Sequence, residues 1–175
     1  LSVVTDTVFF GGSADDMLKA RVNDIPILRK DFIIDKYQIT EAKAMGADVI
    51  LLIAACLTPE NVLELAFFAK SLKMEVLLEI HNEAELEHIC SEVDLVGVNN
   101  RDLKTFAVDI NRSIELSKQI PPDQIKIAER GLSNIETINR FKEAGFKGFL
   151  MGENFMKETN PGEAFKQFVQ QLKQQ

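Results

Sequence analysis

The chain has 175 residues, 46% of them apolar, and a formal net charge of −7. That is enough for one compact domain with a core of its own, and residues 1–175 read as a single domain. The acidic balance, with no basic tract, argues against nucleic acid and anionic membranes as partners, and the longest apolar run (49–56) is too short for a helical span.

Residues 1–6 are rich in β-formers and predict a strand. Phe9-Phe10-Gly11-Gly12-Ser13 is a turn with an aromatic pair, and Ser13 caps a short helix reaching Ala20. Residues 26–32 predict the second strand. Asp35 or Thr40 opens a helix that stops at Gly46. Residues 48–55 predict the third strand, apolar throughout after Asp48, the pattern of a strand buried on both faces. Thr58 caps a helix with Pro59 in its first turn, running to about Lys73. Residues 75–81 are the fourth strand. Residues 82–91 predict an acidic helix capped by Asn82, with Glu85 completing a capping box. Residues 95–100 form the fifth strand and 110–119 a helix, which Pro121-Pro122 breaks. Residues 125–129 form the sixth strand. Ser133 caps the next helix, with Glu136 three residues on, and Gly145 ends it. Residues 148–151 form the seventh strand. Glu153 or Asn154 starts a short helix, and residues 163–173 form the last one.

Strands recur every 20–31 residues with helices between them, which predicts a parallel sheet built from βα units. A TIM barrel, (βα)8, needs eight units and seven are visible. The first unit is therefore expected to be absent from this chain, which opens at Leu1 inside an apolar run. An open doubly wound sheet is the rival fold, but no glycine-rich dinucleotide turn follows the first strand. Cys56 and Cys90 stand in no metal or redox spacing and read as reduced thiols of a cytoplasmic protein.

Several of these strands run from apolar residues straight into charged or amide groups, which is costly unless the strand end opens into a polar site. Those ends supply Lys30, Glu79, Asn99, Arg101, Glu129 and Glu153. In a βα barrel the reactive groups sit at the C-terminal strand ends. A lysine beside an apolar wall can act as a general acid, and two glutamates can divide acid and base work. The competing reading is a structural ring of ion pairs. Arg29 and Asp31 flank Lys30 and are expected to face the helices as a structural pair, since side chains alternate along a strand. His81 has no second histidine near it in sequence, so metal binding is not expected; His88, on an acidic helix, is expected to be solvated. Phe9, Phe10 and Phe32 are core aromatics or the walls of an aromatic pocket. Gly131 and Gly152 each follow a strand closely, where backbone N–H groups can approach phosphate.

The motifs carry a resemblance. Leu-Ser-Val-Val-Thr-Asp (1–6), Phe-Phe-Gly-Gly-Ser (9–13), Pro-Ile-Leu-Arg-Lys-Asp-Phe (26–32), Val-Leu-Leu-Glu-Ile-His (76–81), Val-Gly-Val-Asn-Asn-Arg-Asp-Leu (96–103), Ala-Glu-Arg-Gly-Leu (128–132) and Phe-Leu-Met-Gly-Glu (149–153) resemble indole-3-glycerol phosphate synthase. The resemblance implies ring closure of 1-(2-carboxyphenylamino)-1-deoxyribulose 5-phosphate, an anionic aromatic sugar phosphate, with loss of carbon dioxide and water, and with no metal or organic cofactor. It implies Lys30 as general acid, Glu79 in acid–base work, Asn99 positioning its neighbours, and Glu129 as a catalytic group lining the site. It implies Arg101 near the anthranilate end, Phe10 and Phe32 against the aromatic ring, Ser2 near the pocket, and Gly131, Gly152 and Glu153 at the phosphate. Arg130 and Glu153 depart from the family pattern, which commonly has serine and a small polar residue there. The family's first unit, with a further glutamate and lysine, is not found in these residues, and the resemblance implies that an N-terminal helix is absent with it. A phosphate-binding isomerase barrel of the same pathway is the alternative, as is an inactive barrel fragment. A monomer is expected, with association through the open barrel edge as the other possibility.

Overall fold

The computed structural model describes residues 1–101 and 108–174. Seven parallel strands lie in sequential order: β1 (Ser2–Val4), β2 (Leu28–Lys30), β3 (Val49–Ile53), β4 (Glu75–Ile80), β5 (Leu95–Asn99), β6 (Ile125–Glu129) and β7 (Gly148–Leu150). Helices α1 (Ala14–Ala20), α2 (Lys36–Ala44), α3 (Pro59–Ser71), α4 (Ile110–Ser117), α5 (Ile135–Glu143), α6 (Glu153–Met156) and α7 (Pro161–Lys173) follow strands in turn, with 3-10 turns at Ala54–Cys56 and Glu83–His88.

The helix starts follow local hydrogen-bond logic. Asp35, not Thr40, caps α2, accepting the Tyr37 N–H in a capping box with Gln38. Thr58 caps α3 ahead of Pro59. Four expectations differ from the structure. The cap of α5 is Asn134, not Ser133; its side chain takes the Thr137 N–H, and Glu136 falls inside the first turn. The helix expected over 82–91 contracts to the 3-10 turn Glu83–His88, because Glu85 turns back to accept the His81 N–H and ties the segment to the end of β4. His88 is buried rather than solvated, its ring nitrogens 3.0 Å from the Leu57 carbonyl and 3.2 Å from that of Glu85. The second strand is also shorter than expected, Leu28–Lys30 within 26–32.

The alternation of side chains along each strand sorts the core into two layers. Ile50, Leu52, Val76, Leu78, Ile80, Val96, Val98 and Ala128 face outward and pack under the helices with Val62, Ala66, Ile138 and Phe141. Leu28, Val49, Leu51, Ile53 and Leu77 face inward, joined by half-buried Phe32, Leu95, Ile127 and Leu150. The inner set also fixes where the charged residues point: Lys30, Glu79, Gly97, Asn99 and Glu129 share its parity.

The sheet curls strongly. Strands sit about 4.8 Å apart, so β2 and β6, four steps apart, would be separated by about 19 Å in a flat sheet. Instead Lys30 of β2 lies 3.1 Å from Glu129 of β6. Curling of this kind gathers alternate strands into one layer inside a barrel.

Candidate active site

The cluster forms where the inner face ends. Lys30 Nζ lies 3.1 Å from Glu79 Oε2 and 3.1 Å from Glu129 Oε2, and all three side chains are largely buried. Asn99 Nδ2 donates to Glu79 Oε1 at 3.0 Å, and Asn99 Oδ1 accepts the Arg101 N–H at 3.0 Å. Four strands thus contribute to one group of hydrogen-bonded side chains: β2, β4, β5 and β6.

The two carboxylates are set apart by what surrounds them. Burial alone would raise Glu79, but His81, Lys30 and Asn99 hold it well below the usual carboxylate range. Glu129 is pushed up to about 8, first by burial and then by the charge of Glu79. Its Oε1 has no hydrogen-bond partner among the described residues. That oxygen occupies the space over Gly97, where a Cβ would collide with it and would sit 3.3 Å from Leu77 Cδ1. Burial works against the Lys30 ammonium, yet Glu129 and Glu79 outweigh it and raise its pKa. The shifts run in opposite directions, Glu79 toward the ionised form and Glu129 toward the protonated one beside a charged lysine, the division of labour that acid–base chemistry needs.

One wall of the site is aromatic. Phe10 stacks on Phe32 with ring centroids 4.7 Å apart, and Lys30 Nζ lies 5.9 Å from the Phe10 centroid. Phe9 meets Phe32 edge-on at 5.5 Å but is itself exposed. The loop is held by Asp6, whose carboxylate accepts the N–H groups of Phe9 and Phe10. Gly12 packs where any Cβ would strike the Val4 carbonyl.

The remaining sequence-predicted residues fall around this centre. Arg101 reaches Glu153 at 3.8 Å across the strand ends of β5 and β7. Arg130 and Gly131 follow β6 with φ of 65° and 68°, a left-handed pair that glycine adopts freely and arginine does not. Asn100 Nδ2 donates to the Arg130 carbonyl and braces that turn. Gly152 precedes α6 in open space. Ser2 is not brought to Lys30: it pairs with Leu28, two residues before the level of Lys30, at the exposed start of β1. Arg29 and Asp31 form the outward-facing ion pair expected of them, 2.9 Å apart.

Three contributors escaped the sequence reading: Gly97, Asn100 and the role of His81. Gly97 had a signal, a glycine inside an apolar strand. His81 had one too, since it lies two residues beyond Glu79 and so on the same face. Asn100 stands in the polar run that ends β5, but its partner is a carbonyl thirty residues away, which no local pattern shows.

The model of the family described as indole-3-glycerol phosphate synthase matches residues 1–168. An indole-3-glycerol phosphate synthase of Bacteroides thetaiotaomicron is 50% identical over 173 residues, covering 98% of this chain and 66% of that protein. One from Delftia acidovorans is 46% identical over 166 residues, covering 94% of this chain and 62% of that protein. The chain therefore spans just under two thirds of the length of these curated relatives. Among solved structures, 3-hexulose-6-phosphate synthase from Salmonella typhimurium superposes with a TM-score of 0.79 at 14% identity, covering 99% of this chain and 86% of that one. KGPDC from Streptococcus mutans gives 0.72 at 16% identity, covering 99% and 85%. At such identity these two speak for the fold alone.

Proposed function

We infer the function from one premise: this chain belongs to the indole-3-glycerol phosphate synthase family. The proposed reaction converts 1-(2-carboxyphenylamino)-1-deoxyribulose 5-phosphate into indole-3-glycerol phosphate, carbon dioxide and water. The observation that carries the reading is the meeting of Lys30, Glu79 and Glu129 beside the Phe10–Phe32 stack. The family premise disfavours the isomerase alternative.

The chemistry suits these groups. The ring carbon bearing the carboxylate attacks the ketone, and the oxygen that becomes negative takes the Lys30 proton. Carbon dioxide then leaves with its bonding electrons returned to the ring. Dehydration needs one proton removed from the carbon next to nitrogen and one delivered to the departing hydroxyl. Glu79, held ionised, suits the first task, and Glu129, holding a proton, suits the second. Phe10 and Phe32 offer a flat apolar wall to the aromatic ring. Asn99 orients Glu79, Arg101 meets the anthranilate carboxylate, and the backbone at Gly131 and Gly152 receives the phosphate, with Glu153 contributing its N–H. The seven strands are read as part of an eightfold barrel in a single domain, acting as a cytoplasmic monomer.

The test is indole-3-glycerol phosphate formation by the gene product that carries this chain, followed by indole fluorescence, alongside Lys30→Ala. Turnover by the wild type and a kcat about 10²–10⁴-fold lower in the variant, with the fold intact, are expected. No turnover by the wild type, or an unaffected variant, overturns the reading.

A further inference from the structure

Glu79 uses its two oxygens differently, and the difference leads to His81. Oε2 receives Lys30 Nζ, whereas Oε1 accepts Asn99 Nδ2 at 3.0 Å and lies 3.1 Å from His81 Nε2, an ion-pair contact without hydrogen-bond alignment. His81 stands two residues past Glu79, so its side chain leaves the chain on the same face. Its ring is as buried as the carboxylate it meets, each side chain 6% exposed. On its far side Nδ1 lies 3.2 Å from Glu85 Oε2. That oxygen also accepts the His81 backbone N–H at 2.7 Å, and Glu85 Oε1 accepts Asn82 Nδ2 at 2.6 Å. A continuous line of polar contacts therefore runs from the cap of the 3-10 turn, through Glu85 and the imidazole, to one oxygen of Glu79.

We propose that His81, oriented by Glu85, is a positioning residue that holds Glu79 Oε1 and keeps Oε2 turned toward Lys30 and the substrate. The inference rests on the reading of Glu79 as an acid–base group of the lyase reaction. A carboxylate anchored at one oxygen reacts through the other, and fixing its orientation lowers the cost of reaching the reactive geometry. A ring with a carboxylate at each nitrogen favours the imidazolium. Burial works against that charge, but Glu79 and Glu85 raise His81 to about 9.

The charged and titratable neighbours are few. Lys30 from β2 meets Glu79 at Oε2, and Glu129 from β6 also acts on it. Cys56, in the turn after β3, is held as a thiol by burial and then by the charges of Glu79 and Glu85. His88 directs its ring to the carbonyls of Leu57 and Glu85.

The test combines kinetics and spectroscopy on the gene product carrying this chain. His81→Leu, His81→Gln and Glu85→Gln are compared with the wild type in kcat and KM from about pH 3 to 9, with circular dichroism as the folding check at each pH. The two histidines of the chain make ring-nitrogen NMR assignable. In His81→Leu, kcat falls about 10–100-fold with KM held within about twofold. The acid limb of its kcat profile moves up by about one pH unit or more, because Glu79 has lost a neighbouring cation. The glutamine variant recovers part of kcat through its donor but leaves the limb displaced, and Glu85→Gln moves it in the same direction. In the wild type the His81 ring carries both protons at pH 7.5. An acid limb unmoved in both His81 variants, or a loss confined to KM, overturns the proposal, and so does a neutral imidazole in an active wild type. A wild type without turnover overturns the functional reading and, with it, any part of His81 in turnover.

Discussion

Arg29 and Lys30 are adjacent on one short strand, both largely buried, yet they sit in clusters of different kinds. On the outer face Arg29 is saturated: Nε faces Thr5 and Asp31, Nη1 the Gln38 carbonyl, and Nη2 both Asp31 and Glu41. Asp31 in turn takes the Thr5 hydroxyl and the Phe32 N–H. Each partner is part of the protein, so the network is closed. On the inner face the groups keep spare capacity. Lys30 Nζ shares its protons between Glu79 and Glu129, and Glu129 Oε1 has no partner among the described residues. A closed buried network locks the strand, whereas an open one can exchange partners with a substrate.

The largest effect is expected at Arg29. Arg29→Met leaves Asp31 buried without its cation, and a loss of about 3–5 kcal/mol in urea unfolding is expected. A loss below about 1 kcal/mol would mean the outer network is not closed in the sense argued, since its members would then be rehydrated on losing one partner.

Gly97→Ala probes the inner face at the next level. The added methyl meets Glu129 Oε1 and crowds Leu77, so about 1–3 kcal/mol of overpacking is expected, together with reduced turnover. Gly152→Ala is the matched control, because a Cβ there meets nothing and the backbone is not in the left-handed region; urea unfolding should barely change. Equal destabilisation at both positions would dissociate Gly97 from the seating of Glu129.

The smallest effect is a slope with pH. Glu129 titrates higher in the folded chain than in the unfolded one, so its proton stabilises the fold. That contribution is complete below the unfolded value of about 4.3. It is lost as pH rises toward about 8. Glu129→Gln removes this dependence, so the wild type should lose stability relative to the variant across that interval. Glu79 acts in the opposite sense: its lowered pKa stabilises above the unfolded value, and that stability is lost as pH falls. A pH-independent difference between wild type and Glu129→Gln in urea unfolding would contradict a protonated Glu129.

The order of strands and helices was legible in the residues alone, because strand periodicity, caps and helix-ending glycines are local signals. Lys30, Glu79 and Glu129 stood out there too, because a charge at the end of an apolar strand has few places to go. The resemblance then attached a reaction to them. Local signals were weaker where two neighbouring residues compete for one task, which is why Asn134 rather than Ser133 caps α5. They misled where long-range packing overrode polarity: His88 is drawn inward by the Leu57 carbonyl, thirty-one residues away. That β2, β4 and β6 bring their charges to one point emerges only on folding. The curl that does so belongs to the whole sheet and is encoded at no single position. The same closeness decided the ionisation of the site. Two glutamates that share Lys30 are driven apart because Glu79 also meets His81 and Asn99, whereas Glu129 is fully buried against the charge of Glu79 and has one oxygen without a partner among the described residues.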